Sequence, residues 1–250
     1  MLQTVEHYEM FSPDYINLAD EKINEERIWC QGEHKLPAFK QWSFEVRHLL
    51  AKSQKSFLLL DVGCGTGGFL RYAKDRGFDV YGFDSSQAQI DYARKKLPNV
   101  RKAVSPIEYL KTLGRTDLRF DIVTLWDVLE HIREPLKFLE SVRSVLKPDG
   151  LLFVSVPNGR AMLWKQQLYS LFGKKDYSAW VPWEHVFYYS PQSLSTYLMK
   201  VGFHVMKTGA VCCYTRPLSL FELIRRMGFK AASYFPSLSP QIYVWSQATR

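Results

Sequence analysis

No uninterrupted apolar run in these 250 residues approaches the roughly 18 that a membrane-spanning helix needs, so no span is expected. Cysteine is scarce: Cys30, Cys64, Cys212 and Cys213 form no C-x-x-C pair and have no histidine at zinc-finger spacing, which excludes a structural zinc of that kind. Internal repeats and low-complexity stretches are absent, which excludes solenoids and disordered linkers. The opening 1–13, with Glu6, His7 and Glu9, lacks the basic-then-apolar pattern of a secretion signal, so the expected location is the cytoplasm. Acid is short at the other end. The last fifty residues hold Lys207, Arg216, Arg225, Arg226, Lys230 and Arg250 against Glu222 alone, which concentrates much of a net charge of +8 there. Such a bias suits an ordinary solvated face or peripheral contact with an anionic surface; no nucleic-acid partner is expected.

What the chain does have is apolar material, 46% hydrophobic and 15% aromatic, enough for one elaborated α/β domain. Its organising stretch is 57–70, where Phe57, Leu58, Leu59 and Leu60 lead into Asp61 and then into Gly63, Gly65, Gly67 and Gly68. This reads as a buried parallel strand turning sharply into a helix over roughly 67–75. Glycine admits a ligand close to the backbone, and the helix start aims unpaired N–H groups at the same spot. The turn is a cofactor cradle. Gly63, Gly65 and Gly68 also satisfy G-x-G-x-x-G, with Asp84 lying 21 residues beyond Gly63 after a second strand, so a nicotinamide-dependent oxidoreductase is one reading. Against it, a carboxylate at Asp61 would repel a pyrophosphate, whereas it can accept a hydrogen bond from an ammonium.

The alternation continues downstream. A second strand is expected over 78–83, a helix capped by Ser85 or Ser86, a third strand over 100–104, a helix from Pro106, a fourth strand over 120–125, and a helix from Pro135 ended by a tight return at 147–150. A fifth strand at 151–156, a helix opened by Ser190 and Pro191, a sixth strand at 203–208, a helix around 218–232 and a last strand at 242–247 complete the series. Before the core, 14–51 has helical periodicity broken at 32–37, a cap that serves as a lid or covers a sheet edge. Between strand five and Ser190 lies an insertion with nine aromatics, Trp164, Tyr169, Phe172, Tyr177, Trp180, Trp183, Phe187, Tyr188 and Tyr189, which reads as a substrate wall or as plain core.

The spacing D-x-G-x-G-x-G over Asp61, Gly63, Gly65 and Gly67, the run Phe120-Asp121-Ile122-Val123 followed by Val128-Leu129-Glu130-His131, and Leu146-Lys147-Pro148-Asp149-Gly150 together resemble the class I S-adenosylmethionine-dependent methyltransferases. Glu184 to Pro191, with Gly202-Phe203, resembles the ubiquinone-pathway-like branch. The resemblance covers about 57–209. It implies a Rossmann-like α/β fold with a seven-stranded, mostly parallel sheet whose final strand is antiparallel. A single domain is expected: helical cap 1–52, cofactor-binding core 53–157, and substrate-side insertion with the rest of the sheet 158–250.

The resemblance also implies S-adenosylmethionine as cofactor, bound by Asp61, Gly63, Cys64, Gly65, Gly67, Asp84, Ser85, Ser105, Leu125 and Trp126, with Asp84 on the ribose hydroxyls. The family often has an acid just after strand three; here Ala103-Val104-Ser105-Pro106 stands there, leaving adenine to Ser105 or the backbone. The implied activity is methyl transfer to a small-molecule hydroxyl, the N and C acceptors and a noncatalytic scaffold remaining alternatives. His185 and His131 are the proton-acceptor candidates, with His185 preferred for its aromatic neighbours. Asp127, Glu130 and His131 resemble an acid-x-x-Glu-His run that holds a divalent cation in the ubiquinone-pathway enzymes. If helical, the three would share a face; the bland reading makes Glu130 and His131 a helix brace, and no metal is assigned.

Overall fold

In a computed structural model, residues 35–50, 56–171, 185–211 and 239–249 are described. Their strands are β1 (Leu58–Val62), β2 (Asp79–Asp84), β3 (Val100–Lys102), β4 (Phe120–Trp126), β5 (Leu146–Pro157), β6 (Phe203–Ala210) and β7 (Gln241–Ala248). The helices are α1 (Leu36–Leu49), α2 (Gly68–Lys74), α3 (Gln87–Arg94), α4 (Pro106–Thr112), α5 (Pro135–Ser144), α6 (Gly159–Leu171) and α7 (Pro191–Lys200), with a 3-10 turn at Leu129–His131. They build one seven-stranded sheet in the order β3-β2-β1-β4-β5-β7-β6. β7 runs antiparallel to both neighbours, and β1 to β5 pair in parallel. Strand order reverses between β1 and β4, and the carboxyl ends of those two strands are where an open α/β sheet forms its ligand crevice. Among the described residues, no helix is long and apolar enough to cross a membrane.

Strand alternation sorts the core into two layers. Leu59, Ile122, Phe153 and Trp245 face α1, α2 and α3, while Leu60, Val62, Leu125, Val154 and Val244 face α4, α5 and α7. The first layer is rich in aromatics, with Trp42 stacked on Trp245 at 6.1 Å and edge-on to Phe69 at 4.8 Å. Packing of this kind adds about 0.5–1.5 kcal/mol per pair beyond area burial. Helix α1 therefore lies across a sheet face and not along an edge, because its apolar stripe carries three large residues, Phe39, Trp42 and Val46, that need a broad surface. The amino-terminal part of the expected cap falls outside the described residues.

Four boundaries differ from expectation. α1 begins at Leu36 and takes Pro37 into its first turn, where a missing N–H costs nothing. β3 stops at Lys102, after its backbone has paired with Gly82 to Asp84. β5 starts at Leu146, so 147–150 is a bulge inside the strand and not a turn before it. Phe120 pairs Leu146 while Ile122 already pairs Leu151, and the extruded Lys147 reaches both oxygens of Asp121 at 2.8 and 2.9 Å. The insertion opens with a helix, α6, whose residues beyond Gly159 are largely exposed. Of its described aromatics, Tyr189 is core, Phe187 packs against that core, and Tyr188 stands beside a candidate catalytic group. The aromatics Phe172, Tyr177, Trp180 and Trp183, and the helix expected around 218–232, lie outside the described residues.

Candidate active site

The glycine turn is held open by conformation and crowding together. Gly63, Gly65 and Gly67 all have positive φ, at 68°, 54° and 83°. A Cβ on Gly63 would come within 2.5 Å of Val128 Cγ2, so the loop after β4 sits directly on the turn. That approach draws the two halves of the crevice together.

Asp61, the penultimate residue of β1, lines a pocket with Lys35, Phe39, Gly63, Cys64, Gly68, Phe69 and Trp126. The carboxylate is 2% exposed and accepts a 2.7 Å hydrogen bond from Thr124 Oγ1. Burial pushes its pKa from 3.8 up to about 7, with the Thr124 bond and the Lys35 charge pulling the other way. A buried carboxylate with so little compensation is prepared for a cationic ligand group. Cys64 contributes its backbone, its N–H donating to Phe83 O at 3.0 Å, and burial pushes its thiol well above the usual range, so it is an inert packing group.

Asp84 closes β2 and ties two turns together. Its Oδ2 accepts from Gly65 N and its Oδ1 from Ser86 N, both at 2.9 Å, and burial raises its pKa against those bonds. Each carboxylate oxygen has a second lone pair beyond the bond named. Ser86, not Ser85, caps α3; Ser85 is exposed. Ser105 caps α4 by accepting from Glu108 N, while Glu108 Oε2 reaches back to Val104 N at 2.8 Å. Both are cap contacts, which the S-x-x-E spacing of Ser105 and Glu108 signals, and the place just after β3 is held by Ala103 to Pro106 with no acid. Leu125 packs its side chain into the opposite core layer, whereas Trp126 faces the pocket, edge-on to Phe39 at 5.2 Å.

The other wall departs most from the sequence reading. Asp127 has φ 54°, so the chain turns abruptly after β4. Its Oδ2 pairs with Lys35 Nζ at 2.8 Å and its Oδ1 accepts from Gln241 Nε2. Asp127, Glu130 and His131 consequently do not share one helical face, since only Leu129–His131 forms a turn and Asp127 is diverted to α1 and β7. Glu130 instead turns inward. It is 1% exposed, and among the described residues no donor reaches either carboxylate oxygen. Burial, then the nearby Asp127 charge, push its pKa well above the carboxylate range. Its backbone carbonyl accepts from Val186 N and Phe187 N at 2.8 and 3.1 Å, which pins the segment carrying His185. The His131 and His185 rings lie 5.0 Å apart, and Tyr188 stands 5.6 Å from His185. The two histidines singled out in the sequence are therefore neighbours, while Lys35, Thr124 and Gln241, which no motif flagged, hold the site's charged groups in place.

Comparison with known proteins adds the family. The model of the family described as "Methyltransferase domain" matches residues 34–208. The ubiquinone biosynthesis O-methyltransferase of Actinobacillus pleuropneumoniae is 36% identical over 110 residues, 40% of this chain and 45% of that protein. Its counterpart in Bartonella tribocorum is 30% identical over 149 residues, 57% of this chain and 58% of that protein. The chain thus spans about half the length of these relatives. Among solved structures, an S-adenosylmethionine-dependent methyltransferase from Archaeoglobus fulgidus superposes with a TM-score of 0.57 at 20% identity, over 93% of this chain and 99% of that one. Magnesium protoporphyrin IX methyltransferase from Synechocystis, solved with S-adenosylhomocysteine bound, gives 0.59 at 15% identity, over 97% and 98%. At those identities the two structures bear on the fold alone.

Proposed function

Since this chain belongs to the methyltransferase-domain family, we propose that it moves the methyl group of S-adenosylmethionine to a hydroxyl of a small-molecule acceptor. The observation that carries the reading is the buried Asp61 carboxylate at the glycine turn, a place suited to the cofactor's methionine ammonium and hostile to a pyrophosphate. Gly63, Cys64, Gly65 and Gly67 offer backbone to the cofactor, Asp84 takes the ribose hydroxyls, Ser85 and Ser105 border the nucleoside, and Trp126 covers the methionine. The acceptor oxygen forms its bond to the methyl carbon as the sulfur–carbon bond breaks. The sulfonium is already activated, so alignment of donor and acceptor is the main work of the protein.

The hydroxyl proton leaves to the side of the crevice where His185 and His131 lie 5.0 Å apart, and His185 is the group that takes it. Named relatives that act in ubiquinone biosynthesis support a small hydroxylated acceptor. We place this reaction in the cytoplasm. Of the six basic residues near the carboxyl terminus, Lys207 is among the described residues, and it pairs with Glu45 at 2.7 Å.

Calorimetric titration with S-adenosylmethionine, with NAD as the contrast, tests the cofactor. The reading expects binding of the first alone. Turnover on a hydroxylated metabolite pool at saturating cofactor then tests the chemistry, with His185→Ala expected to lose about 10²–10⁴-fold. Wild-type turnover in His185→Ala would remove that residue from the reaction.

A further inference from the structure

Glu130, His131 and His185 each present one ligand atom, and the three atoms lie within 4.8 Å of one another. A divalent ion bonded at about 2.0–2.2 Å to each would draw such atoms in to roughly 3–4 Å, a small adjustment for one half-exposed and one exposed imidazole. The fit is supported from the carboxylate side. Glu130 is 1% exposed with both oxygens unmatched among the described residues, and His131 Nε2 stands 4.0 Å from its Oε1. A buried acid without donors is costly unless something positive occupies the space in front of it.

From this arrangement we infer that Glu130, His131 and His185 form a binding site for a borderline transition-metal ion, of the Zn²⁺, Co²⁺ or Fe²⁺ kind, with its remaining positions open toward the crevice. The donor set departs from the one that the family's acid-x-x-Glu-His run implies. Asp127, which would lead that run, is held by Lys35 and Gln241, and His185 arrives from 58 residues further on in its stead. One oxygen and two imidazole nitrogens suit Zn²⁺, Co²⁺ or Fe²⁺, whereas Mg²⁺ and Ca²⁺ prefer oxygen throughout. A bound ion of this class supplies Lewis acidity to an acceptor oxygen.

The inference stands on the donor set and not on the methyl-transfer reading. With a cation bound, His185 is a ligand; the proton-acceptor role proposed for His185 belongs to the metal-free protein.

The test uses the full chain, stripped with chelator and titrated separately with CoCl₂, ZnCl₂ and MgCl₂. Visible absorption reports Co²⁺ coordination, and calorimetry reports affinity. One Co²⁺ per chain is expected, displaced by Zn²⁺, with Mg²⁺ binding far more weakly and no thiolate-to-cobalt band from the four cysteines. Loss of an outer-shell partner alone weakens metal binding 10–100-fold, so His185→Ala and Glu130→Gln should each weaken Co²⁺ by at least about 100-fold. Asp127→Asn should change it little. Each variant is checked for an unchanged metal-free melting curve and unchanged S-adenosylmethionine affinity, readouts that separate failure of this site from failure of the cofactor reading. Absence of Co²⁺ and Zn²⁺ binding overturns the inference, as does a thiolate band, affinity that survives both His185→Ala and Glu130→Gln, or affinity lost in Asp127→Asn and kept in His185→Ala.

Discussion

Replacing Asp61 with asparagine separates what this residue costs the empty protein from what it gives the cofactor. Asparagine keeps the shape, and its side-chain oxygen can still accept from Thr124 Oγ1. In the wild type the folded-state pKa of Asp61 is raised from 3.8 to about 7 by burial. Its contribution to stability is therefore complete in acid below the free-chain value and is lost as pH rises from there through 7. At ~1.4 kcal/mol per pKa unit, the ionised carboxylate costs the cofactor-free fold up to about 4 kcal/mol above pH 7. Asp61→Asn should accordingly be the more stable protein in urea at about pH 8, and should lose most of that advantage at about pH 5.

Cofactor binding runs the other way. An ammonium beside Asp61 favours the carboxylate, so affinity for S-adenosylmethionine should rise roughly tenfold between about pH 5.5 and 7, with protons released on binding. The window stops there because an α-amino group itself titrates near 8. Removing the charge-assisted hydrogen bond should weaken binding by about 1.5–3 kcal/mol and flatten the pH dependence. Calorimetry in buffers of different ionisation enthalpy counts the protons directly. Affinity that is level across this window in the wild type, or undiminished in Asp61→Asn, would refute the pairing of Asp61 with the cofactor's ammonium.

Two other substitutions probe neighbouring parts of the argument. Asp84→Ala should weaken S-adenosylmethionine by about 1.5–3 kcal/mol per lost bond, and should also free Gly65 N and Ser86 N, so amide exchange at those two positions should quicken even without cofactor. Unchanged affinity in a folded Asp84→Ala protein would take Asp84 out of the site. Glu45 lies buried under the sheet and accepts from Tyr243 Oη at 2.6 Å, Trp245 Nε1 at 2.8 Å and Lys207 Nζ at 2.7 Å. Glu45→Gln replaces one accepting oxygen with a donor and leaves a buried donor unmatched, so urea denaturation should show a loss of about 1–3 kcal/mol, and no loss would mean that the network relaxes around the change.

The legible parts of this molecule were those written in adjacent residues. Leu58 to Gly68 carries both the buried strand and its turn, because a run of leucines and a set of positive-φ glycines each leave a local mark. The cap at Ser190 was legible for the same reason, as was that at Ser86 as one of two adjacent serines, whereas Ser105 was read for adenine and caps α4 instead. The bulge at 147–150 was not, since the same Pro-Asp-Gly serves a turn or an extruded loop, and the choice rests with Lys147 finding Asp121 across the strand pair. Nor was the inward turn of Glu130, which a helical reading of 127–131 would have shared out along one face. Side-chain pairs 92 and 114 positions apart decide that region, Lys35 with Asp127 and Gln241 with Asp127, and no window of sequence contains them.

Those two long pairs account for the shape of the crevice. A positive φ at Asp127 is sparsely populated for a side chain other than glycine and persists only where its surroundings hold it, here by the lysine at the N-cap of α1 and an amide from β7 on one carboxylate, with Asp127 N donating to Ser155 O at 2.9 Å. Because the chain reverses at that residue, Val128 lands on Gly63 at the glycine turn, and two residues later Glu130 is carried inward, its carbonyl accepting from the backbone of Val186 and Phe187. In the proposed reading, that one turn sets both the cofactor half and the acceptor half of the site. Its three anchors come from the N-cap of the first described helix, the fifth strand and the last strand. A change at Lys35 or Gln241, neither of which belongs to any family motif noted in the sequence, acts on both halves at once.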